Sequence, residues 1–302
     1  MNKFVGTGKR IVRWLLLAVA GYVSILVLLM LFESKIVYPA PRGGSRLASE
    51  SMAEDVSFRS ADGTRLHGWY FEKPDAASTI VFFHGNAESV DTSGPWICQF
   101  ASSLNASVFI FDYRGYGKSE GRPSEKGVVE DGVAAIDWLS NRTGLTSDQM
   151  VFFGRSLGGG VAIQVAKQKP PRAFVLVSTF SSIVDVACEQ FSWLPIRLVM
   201  KNRYESEQAI TEMDIPILQI HGDRDQTISM NLGKRLNEAS PSQHKSFVVA
   251  QGKGHNNLNL ESFRQEINDF LPRRPLAPGL TGPTTHPPGL TGPTTHPDDD
   301  GE

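Results

Sequence analysis

Residues 150–166 read M-V-F-F-G-R-S-L-G-G-G-V-A-I-Q-V-A, and the fold follows from how this stretch must be built. Val151, Phe152 and Phe153 form a short apolar run suited to a strand buried on both faces. The Gly/Ala-rich segment from Gly158 onward reads as a helix, and Pro170-Pro171 must end it, since proline cannot continue one. Between strand and helix stands G-R-S-L-G, a sharp turn with one serine at its apex. Glycines on either side lack a Cβ, which lets strand and helix pack closely around a strained turn. Ser156 is thereby pushed clear of the sheet, near the positive end of a helix, where developing negative charge is stabilised. The pattern G-x-S-x-G alone also suits a glycine-rich helix start that binds nothing. The strand before it and the helix after it are what mark a nucleophile elbow.

A serine hydroxyl is a weak nucleophile at neutral pH. It needs a base to take its proton, and the base needs an acid to orient it. Of the seven histidines, His286 and His296 belong to a terminal repeat, His67 to a hairpin, His84 to the loop after the third strand, and His244 to a polar stretch before the last strand. His221 ends a strand and suits a structural role. His255 stands in the loop Gln251-Gly252-Lys253-Gly254-His255-Asn256-Asn257, after the last strand, where an open α/β sheet presents its site residues. It is the expected base. The stretch His221-Gly222-Asp223-Arg224-Asp225 offers two candidates for the acid, one of which should serve as a turn or cap carboxylate. Asp214 is a distant third, because it precedes the strand. The order Ser156, Asp225, His255 is the one that accompanies an elbow serine. Two backbone N–H groups should face the developing oxyanion. Leu157 supplies one, and Asn86, in the loop His84-Gly85-Asn86-Ala87, supplies the other.

In chain order, strands are expected at 56–59 and 66–71, joined around Asp62-Gly63 as a hairpin. Further strands are expected at 79–83, 108–113, 151–153, 173–178, 217–221 and 246–250, giving eight. Helices are expected near 96–104 and 125–141, after the elbow, and over 258–271, where Leu260, Phe263, Ile267, Phe270 and Leu271 share one face. Alternating strands and helices imply a mostly parallel sheet with helices on both faces. Residues 180–210 break the alternation and read as a small helical cap.

The ends differ from the middle. Lys3, Lys9, Arg10 and Arg13 precede Trp14–Phe32, an uncharged run that as a helix would be roughly 28 Å long, close to a bilayer's hydrocarbon thickness. Ala18-Val19-Ala20 could serve a signal peptidase, but the apolar run continues for a dozen residues beyond it, which favours an uncleaved signal anchor over residues 1–35. The basic flank points to a cytoplasmic N-terminus and a type II topology, with the main domain on the non-cytoplasmic side. A linker is expected over 36–55 and the catalytic domain over 56–272. Residues 278–287 and 288–297 are identical copies of P-G-L-T-G-P-T-T-H-P. Proline and glycine at that density cannot bury a core, so 273–302 is expected to be a disordered tail.

With 30 Lys and Arg against 32 Asp and Glu, the net charge is −2, and no basic stripe lies outside the membrane flank; a nucleic-acid role is excluded. Two cysteines, Cys98 and Cys188, are too few for a disulfide framework or a zinc site. Gly117-Lys118-Ser119 imitates the end of a phosphate-binding loop, but that motif needs glycine where Asp112 stands. No cofactor and no metal are called for.

The motifs F-F-H-G-N-A (82–87), D-Y-R-G-Y-G-K-S (112–119), G-R-S-L-G (154–158), H-G-D-R-D (221–225) and G-H-N (254–256) together resemble the α/β-hydrolase superfamily, in particular its membrane-anchored, small-cap branch. The resemblance covers most of 56–272. It implies Ser156 as nucleophile, Asp225 as acid, His255 as base, and backbone donors at Asn86 and Leu157. Relatives often carry Val-Pro after the acid loop, where Ile228-Ser229 stands here. The function implied is hydrolysis of a carboxylic ester, thioester or amide in a small acyl-containing or lipid-like substrate, through an acyl-enzyme. Three other functions fit the same features: a non-catalytic scaffold with this fold, a serine peptidase, and a protein depalmitoylase. The depalmitoylase branch carries an N-terminal cysteine cluster, and no cysteine precedes Cys98 here.

Overall fold

The computed structural model describes residues 2–41 and 53–271. Most of the expected linker and all of the expected repeat tail lie outside the described residues. A long helix, α1 (Asn2–Val37), comes first. The strands are β1 (Glu54–Arg59), β2 (Arg65–Phe71), β3 (Ser78–Phe83), β4 (Ala106–Asp112), β5 (Val151–Arg155), β6 (Ala173–Val177), β7 (Ile217–Gly222) and β8 (Lys245–Ala250). They form one sheet in the order β1-β2-β4-β3-β5-β6-β7-β8. The β1–β2 and β2–β4 pairs are antiparallel, and every pair from β4 to β8 is parallel. This is the eight-stranded, mostly parallel α/β-hydrolase architecture that the sequence predicts.

Parallel strands of this kind are buried on both faces, and side chains alternate between two cores. Phe82 packs with Trp69, Ile97, Phe100 and Phe153 on one face. Phe83, the next residue, packs with Phe111, Phe152, Val161 and Val165 on the other. Both rings are fully buried, and truncating either to alanine costs about 3–5 kcal/mol. The first face is covered by α2 (Val90–Ser103) and α9 (Arg264–Phe270), the second by α3 (Glu125–Thr143), α4 (Leu157–Ala166) and α8 (Met230–Ala239).

Helix boundaries follow local chemistry. The Ser124 hydroxyl accepts the Gly127 N–H at the start of α3, and Gly144, at φ 73°, ends that helix in the left-handed conformation. Helix α2 begins at Val90, six residues before its expected start, because the buried Asp112 carboxylate accepts the Val90 N–H at 2.8 Å. The expected helix over 258–271 divides into a 3-10 turn at Leu260–Phe263 followed by α9.

Between β6 and β7 the chain leaves the sheet to form α5 (Ile183–Gln190), α6 (Ile196–Val199) and α7 (Ser206–Ile210). Val184, Leu194 and Ile196 make a small core of their own there, against which Leu26 and Leu29 of α1 pack. Strands β5, β6, β7 and β8 are successive parallel neighbours, so the loops after β5, β7 and β8 leave the same end of the sheet.

Candidate active site

Ser156 stands between β5 and α4 at φ 52° and ψ −121°, a left-handed conformation that non-glycine residues rarely hold. The surrounding glycines make this turn fit. A Cβ on Gly158 would lie 1.9 Å from the Phe83 carbonyl oxygen, and one on Gly154 would lie 2.5 Å from the Gly159 Cα. The turn is further fixed by the Ser156 N–H, which donates to Val177 O at 2.9 Å, and by the Thr179 hydroxyl, which donates to Ser156 O at 3.0 Å.

His255, in the loop after β8, brings Nε2 to 3.0 Å from Ser156 Oγ. Its Nδ1 meets Asp225 Oδ2 at 2.7 Å. The other carboxylate oxygen, Oδ1, accepts the Thr227 and Ile228 N–H groups, each at 2.9 Å. His221 Nε2 stands 3.5 Å from Asp225 Oδ2 and 3.0 Å from Ile228 O, so its N–H is shared between them. Burial works against the charged form of Asp225. Hydrogen bonds from His221, His255 and the Ile228 N–H outweigh burial and hold the carboxyl well below the usual carboxylate range.

The loops that carry these groups are stitched to one another. Arg224 N–H donates to Lys253 O at 2.9 Å, and the Gly252 N–H donates to Asp223 Oδ1 at 2.6 Å. A Cβ on Gly222 would lie 2.2 Å from Lys253 O, so the loop after β7 and the loop after β8 touch backbone to backbone. Asp223 is thus a turn carboxylate, and Asp225 is the carboxylate that reaches the imidazole. Ser229 begins α8 and donates its hydroxyl to Glu189 at 3.0 Å.

Among the described residues, neither the Leu157 N–H nor the Asn86 N–H donates to another group. The Asn86 side chain is fully employed elsewhere. Its Nδ2 donates to Val37 O at 2.6 Å, and its Oδ1 accepts the Tyr116 hydroxyl at 2.7 Å. Two residues absent from the sequence-based reading complete the loop. Glu88 accepts the Gly85 N–H at 3.1 Å and the Ser93 hydroxyl at 2.9 Å, and its other oxygen pairs with the Arg155 guanidinium. The available signal was an arginine beside the elbow serine, a cation that needs an anion close by. A hydroxyl against an imidazole that is itself held by a buried carboxylate can pass its proton to that imidazole.

A family model described as the α/β hydrolase fold matches residues 78–199. An uncharacterized protein of Mycobacterium tuberculosis is 37% identical over 224 residues, 74% of this chain and 78% of that one. The α/β hydrolase domain-containing protein WAV2 of Arabidopsis thaliana is 34% identical over 67% of this chain and 73% of its own. Among solved structures, an esterase of Pyrococcus furiosus superposes with a TM-score of 0.64 at 20% identity, covering 77% of this chain and 97% of that one. Taken with the sheet order and the serine turn after β5, these likenesses establish the chain as a member of the α/β-hydrolase superfamily.

Proposed function

We propose that this protein is a membrane-anchored serine hydrolase that cleaves a carboxylic ester through an acyl-enzyme on Ser156. The observation that carries this reading is the continuous path from Ser156 Oγ through His255 to Asp225, at 3.0 and 2.7 Å. Ser156 Oγ attacks the substrate carbonyl carbon while His255 Nε2 takes its proton. The carbonyl oxygen becomes an oxyanion, which the Leu157 and Asn86 N–H groups receive. Asp225 stays ionised and stabilises the imidazolium without taking its proton. His255 then returns the proton to the leaving oxygen as the carbon–oxygen bond breaks. Water attacks the acyl-serine with His255 again as base, releasing the acid and restoring Ser156. A thioester or amide would follow the same steps.

The anchor in this proposal is α1, whose stretch Val12–Val37 is long and apolar enough to cross a bilayer. The basic N-terminal flank favours a cytoplasmic N-terminus, which would place the hydrolase unit of 56–272, with its cap at about 180–210, on the other side. A fluorophosphonate probe, which reacts with activated serines, tests the chemistry. The wild type should be labelled, and Ser156→Ala and His255→Ala should not. An unlabelled but folded wild type would instead favour a scaffold. Retention of the full chain in the membrane pellet after carbonate washing tests the anchor.

A further inference from the structure

Among the described residues, the exposed large apolar side chains fall in only two places: α1 from Val12 to Ile36, and the cap, at Phe191, Trp193 and Leu198. Trp193 is 61% exposed and Leu198 86% exposed. Lone exposed apolar residues are ordinary, but a cluster continuous with an uncovered apolar helix is not. The two surfaces are continuous. Tyr22 donates its hydroxyl to Trp193 O at 3.3 Å, with the two rings 6.4 Å apart. Leu26 and Leu29 pack on the small core of the cap. An apolar crevice of about 130 Å³ runs between Leu29 and Ile36 on one side and Phe191, Leu194, Val199 and Met200 on the other.

The join is also rigid. Glu33 Oε1 accepts the Lys201 N–H at 2.9 Å, the Asn202 N–H at 2.7 Å and the Asn202 Nδ2 at 2.8 Å. The Tyr38 hydroxyl donates to Asn202 Oδ1 at 2.9 Å and lies 3.0 Å from the Tyr204 hydroxyl. Helix α1 cannot swing away from the cap without breaking this buried set.

Helix dimensions then decide where the cap lies. From Tyr22 to Glu33 is eleven residues, about 16 Å along the axis, which is half of a hydrocarbon core about 30 Å thick. The cap-free part, Val12 to Gly21, is about 15 Å long and cannot cross that core alone. If α1 spans the bilayer, its Tyr22–Phe32 half lies in hydrocarbon, and the cap residues beside that half lie there too. We infer that the Phe191–Trp193 tip of the cap is immersed in the same leaflet as this half of α1, with Leu198 at its edge. The charges near this surface are placed to allow it. Arg197 is held by Asp185 at 2.6 Å, Glu189 is turned to the Ser229 hydroxyl at 3.0 Å, and Lys201 sits at the level of Glu33, where headgroups would be. The immersed element is in contact with the site, because Gln190 of α5 donates to Thr227 O at 2.9 Å in the loop that holds Asp225. The inference rests on the membrane-anchored reading above, and not on the hydrolytic one.

Full-length protein in phosphatidylcholine vesicles, with and without brominated acyl chains, tests the depth of Trp193. A Trp14→Phe background removes the tryptophan that lies in α1, while Trp69 is fully buried and Trp96 and Trp138 are partly buried against the two cores, away from α1 and the cap. Brominated lipid should quench part of the emission of Trp14→Phe. That quenchable part should be lost in Trp14→Phe/Trp193→Phe, and aqueous iodide should leave it untouched. Quenching of Trp193 by iodide and not by brominated lipid would place the cap in water and overturn the inference. Quenching by neither would mean that protein, such as a second copy of the chain, covers the cap, and would overturn it equally. Carbonate washing separates the two readings. A chain that stays bound while Trp193 answers to iodide loses only the immersed cap, whereas a chain that washes off loses the anchor as well.

Discussion

The guanidinium of Arg155 pairs with the carboxylate of Glu88 across the gap between the serine turn and the loop after β3. Arg155 directly precedes Ser156, and Glu88 lies two residues beyond Asn86. The pair therefore ties the proposed nucleophile to the proposed oxyanion donor, although neither of its members touches a reacting atom. Both side chains are largely buried, at 22% and 18% exposed, so the pair is less screened by water than a surface bridge.

Glu88→Gln keeps the shape of the side chain and its bond to the Gly85 N–H while removing the charge that holds Arg155. A displacement of about 1 Å at a reacting centre can cost on the order of 10²-fold in rate. The variant is expected to lower kcat roughly 10- to 100-fold with little change in KM, and to keep a cooperative thermal transition. Steady-state kinetics on a short-chain ester checks this. An unchanged kcat would mean that the two loops hold their spacing without the pair.

Gly158→Ala tests the turn itself. The new methyl would lie 1.9 Å from the Phe83 carbonyl oxygen, which is backbone within the central sheet and cannot move aside. A loss on the order of 3 kcal/mol is expected, the upper end of what core overpacking typically costs. Chemical denaturation of the variant against wild type measures it. Gly21→Ala, at a glycine whose Cβ would meet nothing within 4 Å, is the matched control.

These glycines explain why the turn that carries the candidate site is legible in the chain. A residue type that only sterics can justify, repeated at 154, 158 and 159 between an apolar run and a helix, encodes the turn locally. His255 was legible for a similar reason, being the histidine in a glycine-flanked loop after the last strand. The Glu88–Arg155 pair was not, because its partners are 67 residues apart and each alone looks like a solvated charge. Helix α8 is not legible in the sequence because only Leu232 and Leu236 among its apolar residues are buried, and Gly233 stands between them. That glycine leaves room for the His221 ring, since a Cβ there would lie 2.4 Å from Nδ1. The docking of α1 on the cap was hidden in the same way. Glu33 reads as the end of an apolar span, and its hydrogen-bond donors come from residues 201 and 202.

That docking predicts the outcome of truncation. Tyr38 is 3% exposed and bonds both Asn202 and Tyr204. A chain beginning at Pro41 loses this ring together with Glu33, which leaves the Tyr204 hydroxyl and the Asn202 Nδ2 without these partners, whereas a chain beginning at Leu31 keeps both residues. Removing a buried aromatic costs about 3–5 kcal/mol, so the shorter chain should melt roughly 6–12 °C below the longer one at this domain size. Calorimetry on both chains decides the matter, and equal melting temperatures would show that neither Tyr38 nor Glu33 contributes to the stability of the fold.

A second buried pair gives stability a pH dependence. His67 Nδ1 lies 2.9 Å from the fully buried Asp112 carboxylate, and its Nε2 lies 3.1 Å from Asp55. Burial lowers the His67 pKa, but Asp112 and Asp55 together outweigh it and raise it above the usual histidine value. A raised folded-state pKa contributes stability that is fully present below the unfolded value of about 6.5 and is lost as pH rises through the folded value. The melting-temperature gap between wild type and His67→Gln should therefore be widest near pH 6 and narrow toward pH 9. A gap that stays constant across that range would mean that the imidazole acts only through its shape.

The two aspartates of the loop after β7 have separable roles. Asp225 Oδ2 meets His255 Nδ1 at 2.7 Å, whereas Asp223 Oδ1 accepts the Gly252 N–H at 2.6 Å and touches neither His255 nor Ser156. An amide at 225 can still accept hydrogen bonds, but it has no charge to stabilise the imidazolium and can present its NH₂ to Nδ1, favouring the wrong tautomer. Losses of about 10⁴ in turnover are typical of serine triads changed in this way. Asp225→Asn should approach the inactivity of Ser156→Ala, and Asp223→Asn should retain turnover within about tenfold while melting lower. The Asp225 carboxyl is held below its ordinary value, so the stability it contributes is complete above about pH 4 and fades only as pH falls further, through the folded value. The difference in stability between wild type and Asp225→Asn should consequently be flat from pH 5 to 8 and shrink in stronger acid. Near-normal turnover in Asp225→Asn, with a folded but inactive Asp223→Asn, would transfer the acid's role to Asp223. Full activity in both would mean that His255 needs no carboxylate partner from this loop, and the proton path proposed for this site would have to be redrawn.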